Sequence, residues 1–266
     1  MTIRIATFPD FCVPASDLVC SGRDKLEVPT GSAYDNELFA GAIGKGKEVI
    51  RYSSSLRGTR DLLAKTGVAA VLDLMLKTCP YVVEIRCHYP YVVRNRGDPI
   101  IIDRMVTVER RDAPGEAHMH AIMLTPSGIK AAYKRLQQEG VSCELLDPDQ
   151  FAPIAIANAS RIYRWARHRN IWDHETRLDA ARFARALYES ERRRAQRQIS
   201  LSPTYRAPTL YRLMKRLGKR FSCSTDEAFS RLGVGMILGY VCIAPDHSLS
   251  SRTPLCVAPP LVRIRS

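Results

Sequence analysis

Three runs in the first half of the chain, residues 81–93, 99–110 and 118–126, are rich in β-branched and aromatic residues. Each is bounded by Pro, Gly, Asn or Asp, which is the signature of a strand. Pro90 interrupts the first run and predicts two short strands or one bent one. Residues 94–98 and 111–115 carry the turn formers of hairpin connections. A helix is predicted over 128–139, with Ser127 as its cap and Gly140 as its stop. Residues 141–146 then form a last strand, parallel to an earlier one if the helix is a crossover. Upstream, Leu62, Leu63, Ala69, Leu72 and Met75 or Leu76 recur near helical spacing and predict a helix over 58–78, weakened at Gly67. Residues 48–52 read as a short strand. Residues 1–47 are irregular and read as an extended lead-in or as an arm packed on a partner.

The pattern changes after Asp147-Pro148-Asp149, which reads as a linker. Helical periodicity is predicted over 154–168 and 175–198, the latter on Leu178, Ala181, Ala184 and Leu187 or Tyr188. The cleanest amphipathic helix lies at 209–221, where Leu210, Leu213, Met214, Leu217 and Phe221 fall on one face. Ser224-Thr225-Asp226-Glu227 is a capping box that opens a largely apolar helix ending at Gly239. Residues 240–244 and 255–258 read as two strands around 246–253. Helices followed by a β-hairpin make a winged-helix-like module.

Charge adds a partner to this picture. The 266 residues carry a formal net charge of +13, from 40 Lys and Arg against 27 Asp and Glu. Residues 161–220 hold seventeen of those bases and only five acids. Such a segment suits an anionic partner, of which nucleic acid is the commonest. Arg192, Arg193 and Arg194 crowd the end of one helix, beyond what the helix dipole explains. Arg212, Lys215, Arg216, Lys219 and Arg220 cover the polar face of another with no acid among them, and so read as a phosphate-facing surface. The eight cysteines include no C-x-x-C pair and suit reduced thiols in a cytoplasmic protein. No signal peptide and no membrane-spanning run is expected.

The first domain resembles a known family through three stretches. Cys87-His88-Tyr89-Pro90 stands where that family has a proline-ended turn. Ile100-Ile101-Ile102-Asp103 stands where it has a Pro-Asp, and Ala121-Ile122-Met123-Leu124-Thr125-Pro126 where it has Glu-x-Lys-Pro. The family is the TnsA-type endonuclease subunit of heteromeric transposases, within the PD-(D/E)xK nucleases. The segment from Tyr240 to Leu249, with Thr253-Pro254-Leu255, resembles the tail of the same proteins. The resemblance implies an α+β or α/β chain in two parts. The first, residues 1–150, is an N-terminal arm and a restriction-endonuclease-like mixed sheet with helices. The second, residues 151–266, is a basic, helical, winged-helix-like DNA-binding domain. It further implies DNA transposition of a mobile element, a partner transposase and a regulatory ATPase.

The functional letters depart from that pattern. Asp103 is the one acid on the motif positions, and it is the candidate catalytic residue and Mg²⁺ ligand. Its other readings are a solvent-facing side chain or a partner of Arg104 or Arg86. Met123 and Thr125 replace the Glu and the Lys, and the helix Glu falls on Ala69 or Arg57. Mg²⁺-dependent cleavage needs several carboxylate or water oxygens around the ion. A second acid would have to come from Asp73, Glu84 or Glu109, although Asp73 reads as a solvent-facing helix residue. His118 and His120 share one strand face but offer only two ligands. The expectation is a nuclease fold of uncertain activity. The alternative is a winged-helix DNA-binding regulator whose α/β domain oligomerises. RNA binding suits the charge but lacks the aromatic strand pattern of the common RNA modules.

Overall fold

The computed structural model describes residues 50–53, 61–64, 67–91, 100–109, 117–124, 129–146, 151–171, 173–200, 207–244 and 246–260. The expected arm, the cap Ser127, the two hairpin turns and the linker at 147–149 lie outside them. The chain is a mixture of helix and strand.

Strands β1 (Ile50–Ser53) and β2 (Asp61–Ala64) pair antiparallel. Leu62 and Leu63, expected at the start of a helix, therefore belong to a strand. Two adjacent leucines fit either period, and the cross-strand partner decides between them. Helix α1 runs over Gly67–Thr78, so Gly67 opens the helix rather than weakening its middle.

A four-stranded sheet follows, in the order β3 (Val82–Tyr91), β4 (Ile100–Glu109), β5 (Ala117–Leu124), β6 (Cys143–Leu146). The first three strands are antiparallel, and β6 pairs parallel to β5. Helix α2 (Ile129–Gln138) makes the crossover, and Gly140 follows it at φ +71°. β3 runs through Pro90, which stands opposite Ile101. An edge strand tolerates this proline because a missing N–H can face away from the ladder. The irregularity in β3 falls instead between Val82 and Glu84.

Alternation along β5 sorts the sheet into two faces. Ile122 and Leu124 pack with Leu72, Met75 and Leu76 of α1. Ala121 and Met123 pack with Leu136 of α2. Helix α3 (Pro153–Ala166) contributes to two cores: Ala155 and Ala159 join the α1 face of the sheet, and Ile162 and Ala166 join the helical part.

That helical part contains α4 (His174–Ser200), α5 (Leu210–Arg220) and α6 (Thr225–Ile237). α6 is its central helix, buried from Leu232 to Ile237. The capping box forms as the sequence predicts. Glu227 N donates to Ser224 Oγ at 3.1 Å, and Ser224 N donates to Glu227 Oε2 at 3.0 Å. The predicted C-terminal strands shrink to β7 (Cys242–Ile243) and β8 (Val257–Ala258), paired antiparallel. Their connection folds back onto the helices, burying Leu249 and Leu255. Asn158 of α3, itself buried, donates to His247 O and accepts from Leu249 N, both at 2.8 Å. Thr253 O and Ser251 O accept from Leu210 N and Tyr211 N, so this connection also occupies donors at the start of α5. Tyr188 of α4 holds the hairpin base, donating to Ala258 O at 2.7 Å, and burial pushes its phenol up to about 12.

α5 and α6 meet in a tight turn. A Cβ on Gly218 would stand 2.9 Å from Cys223 O and 3.3 Å from Ser224 O. Both are backbone atoms that cannot swing aside. Gly218→Ala is expected to destabilise the protein by about 1–3 kcal/mol, despite the better helix propensity of Ala. Urea unfolding checks this, and a neutral or stabilising Gly218→Ala would contradict so tight a turn.

Candidate nucleic-acid interface

The interface begins with the two-sidedness of α5. Leu210, Leu213, Met214, Leu217 and Gly218 are buried. Tyr211, Arg212, Lys215, Arg216, Lys219 and Arg220 are exposed, and no acid stands on the helix. The apolar stripe anchors the helix to α6 and α4, leaving one row of cations facing outward. Phe221, just past the helix end, is half-buried, with its ring centroid 5.4 Å from that of Phe183.

The C-terminal half of α4 lies beside this row. Arg192 and Arg193 are exposed and Arg194 is half-buried. Between α4 and α5 is an open cleft of about 210 Å³, lined by Glu191, Arg193, Arg194, Arg216 and Arg220 over Leu217. The fold thus brings four of the eight predicted basic residues to one place. Arg192, Arg212, Lys215 and Lys219 stand outside the cleft. Arg220 also reaches Glu189, at 3.4 Å on the exposed side.

Glu191 is the residue that sequence reasoning missed. It is only 7% exposed, and Arg194 Nη1 lies 2.9 Å from its Oε2. Burial raises its carboxyl above the usual range, while Arg194 and Arg216 pull it back down. The spacing of Glu191 and Arg194 on one helix was its available signal.

The acidic positions of the sheet are arranged differently. Asp103 is half-buried on β4, and its Oδ2 accepts from Leu124 N at 2.9 Å. Arg104, one of the two arginines offered as its partner, pairs with Asp73. The Arg104 guanidinium grips the Asp73 carboxylate through two nitrogens, with Nη2 2.7 Å from Oδ2. Arg104 Nη1 donates to the main-chain oxygen of Asp103 at 2.6 Å. Asp73 is thus fully buried rather than solvent-facing, because an arginine 31 residues away meets it inside the core.

Met123, at the position of the family's Glu, is 1% exposed in an apolar cluster. Glu109 stands six residues along the same strand from Asp103, roughly 20 Å away at strand rise. Glu84 pairs with Thr107, four residues from Asp103 and so roughly 13 Å along the strand. Among the described residues no group of three His, Cys, Asp or Glu is placed to hold a metal. The residues present do not fit the Mg²⁺ site of the family.

The predicted histidine pair lies on β5. His120 is buried, with Nδ1 2.9 Å from Ser142 Oγ and Nε2 3.6 Å from Glu144 Oε2. Cys143, beside them on β6, has its thiol pushed up to about 11 by burial. This is a cross-strand polar contact in the sheet, with Glu144 on β6 and Ser142 just before it.

No protein-family model and no curated protein matches the chain.

The chemistry therefore rests on the two sites themselves. The sheet offers the half-buried carboxylate of Asp103, whose Oδ2 already accepts from Leu124 N. The helical part offers a cleft lined by four arginines. Guanidinium forks recognise phosphate and carboxylate oxygens bidentately. Among the described residues no helix is long and apolar enough to cross a membrane.

Proposed function

We propose that the chain is a double-stranded-DNA-binding, TnsA-like subunit of a transposition complex, in which the nuclease-like sheet positions DNA and partners without cutting. The observation that carries the DNA reading is the convergence of arginines from α4 and α5 on one open cleft, beside an α5 face that bears no acid. Phosphate contacts of this kind supply most of a protein's affinity for a duplex. The restriction-endonuclease-like reading of the sheet is supported by its order, three antiparallel strands and then a crossover helix to a parallel fourth. The winged-helix-like reading is supported by the helices packed with the β7–β8 hairpin. The scaffold reading rests on buried Met123 and on Asp73 held by Arg104. A partner transposase and a regulatory ATPase complete the proposal, and it sets the protein in the cytoplasm.

The test is incubation of the full chain with supercoiled plasmid and linear duplex in Mg²⁺ and in Mn²⁺. The expected result is salt-sensitive binding with no nicking, unchanged in Asp103→Ala. Nicking that depends on the metal and disappears in Asp103→Ala would sink the scaffold reading. Tight, dimeric binding to a short palindromic site by this chain alone would favour a winged-helix regulator instead.

A further inference from the structure

We propose that the cleft between α4 and α5 is a seat for a single phosphate group, and that Glu191 is its internal counter-ion, holding the arginines in place until phosphate oxygens take over. The identity of the ligand, a phosphate of a nucleic-acid strand, rests on the DNA-binding reading above. The seat itself rests on the cleft.

Four arginines line one space of about 210 Å³. That is several times the roughly 30 Å³ share of one liquid water, and leaves room for a phosphate and its bound waters. The basic residues lining the cleft are all arginines, Arg193, Arg194, Arg216 and Arg220, while Arg192, Arg212 and both lysines of α5 stand outside it. A fork of N–H donors suits tetrahedral oxygens held at close range, whereas an ammonium suits looser, water-separated contact.

The charges do not cancel. Among the described residues Glu191 is the one acid lining the cleft, against four cations. Glu189 meets Arg220 only from the exposed side, where the pair is screened. Donors remain unused as well. Arg194 Nε is buried with no hydrogen-bond partner. Its Nη1 lies 2.9 Å from Glu191 Oε2, in a geometry that makes an ion pair but no hydrogen bond. A buried donor without an acceptor is costly, and an Arg194 side chain that turns out toward an anion in the cleft would shed that cost. A closed ion-pair network would show the opposite, with matched charges and every donor satisfied.

Glu191 explains why the arginines can wait in this arrangement. It rises from α4 in the wall of the cleft and attracts Arg194 of its own helix and Arg216 of α5. Its carboxylate and an incoming phosphate compete for the same two guanidinium groups. Removing the carboxylate charge therefore strengthens phosphate binding, and removing an arginine weakens it.

The experiment titrates inorganic phosphate into the full chain by calorimetry, and in parallel measures binding of a short duplex. The variants are Arg216→Gln, Arg193→Gln, Glu191→Gln and a Lys215→Gln/Lys219→Gln double. Arg216 and Arg193 are exposed, so both variants should fold, and circular dichroism checks that they do. Removal of one charge-assisted hydrogen-bonding partner in Arg216→Gln or Arg193→Gln should weaken phosphate binding about tenfold. Glu191→Gln should tighten it severalfold. The lysine double should leave phosphate binding unchanged while weakening the duplex.

Two results overturn the seat: no phosphate binding by the wild type up to about 10 mM, or equal losses in Arg216→Gln and the lysine double. If the duplex is still bound in that case, the DNA reading survives and the seat alone falls. If phosphate binds with the expected variant pattern but no duplex does, the seat stands and the DNA reading falls. A duplex carrying a 5′-phosphate that outcompetes its 5′-hydroxyl twin assigns the seat to a strand end, and equal binding assigns it to an internal phosphodiester.

Discussion

Asp73→Ala is expected to destabilise the protein by about 3–5 kcal/mol, because it strands a buried guanidinium without its counter-charge. Asp73 and Arg104 are 0% and 1% exposed. The pair ties α1 to β4 in the face of the sheet that also packs α3, so its loss acts on the sheet and on the helix that leads away from it. Lys77, one turn along α1 and 1% exposed, lies 5.2 Å from the centre of the Tyr163 ring on α3. A second positive charge in this region makes the loss of a negative one more costly still. The double variant Asp73→Ala/Arg104→Met should recover much of the loss, since apolar groups of similar volume often replace a buried pair at little cost. Urea unfolding of the two singles and the double closes the cycle. A single-variant loss under about 1 kcal/mol, the range of exposed pairs, would show that the pair is not buried as described.

The second large effect concerns the outer face of α5. The triple variant Arg212→Gln/Lys215→Gln/Lys219→Gln removes three exposed cations that stand apart from the apolar stripe and do not line the cleft. The fold should be unaffected, because each side chain projects from the surface. Duplex affinity should fall by one to two orders of magnitude, and the slope of log K against log salt should become shallower by about 0.9 for each phosphate that is no longer neutralised. Fluorescence anisotropy with a labelled duplex reads both quantities. An unchanged slope would mean that the outer face of α5 does not meet the phosphates.

What the sequence makes legible follows from how local the signal is. The five apolar residues of α5 and the capping box of α6 declare themselves within a dozen positions, and both elements form where the pattern puts them. Strands β3, β4 and β5 and the crossover after β5 are equally local, set by turn formers and β-branched runs. Leu62 and Leu63 were illegible because two leucines carry no period, and only their pairing with β1 makes them a strand. Pro90 misled for the opposite reason: it is a strong local signal whose cost depends on whether the strand is central or at an edge. The burial of Asp73 depends on Arg104, which no helical wheel displays. The basic residues were visible by count, but the sorting of Arg193, Arg194, Arg216 and Arg220 around Glu191 needed two helices brought side by side.

The central claim, that the basic face of the helical part meets phosphates, is tested most directly by titrating the full wild-type chain against a labelled duplex across a range of salt concentrations. The account predicts binding at low salt that weakens along a straight line in log K against log salt, with a slope of about −3 or steeper. No binding at low salt, or an affinity indifferent to salt, would contradict it and return these arginines and lysines to the role of a solvated surface.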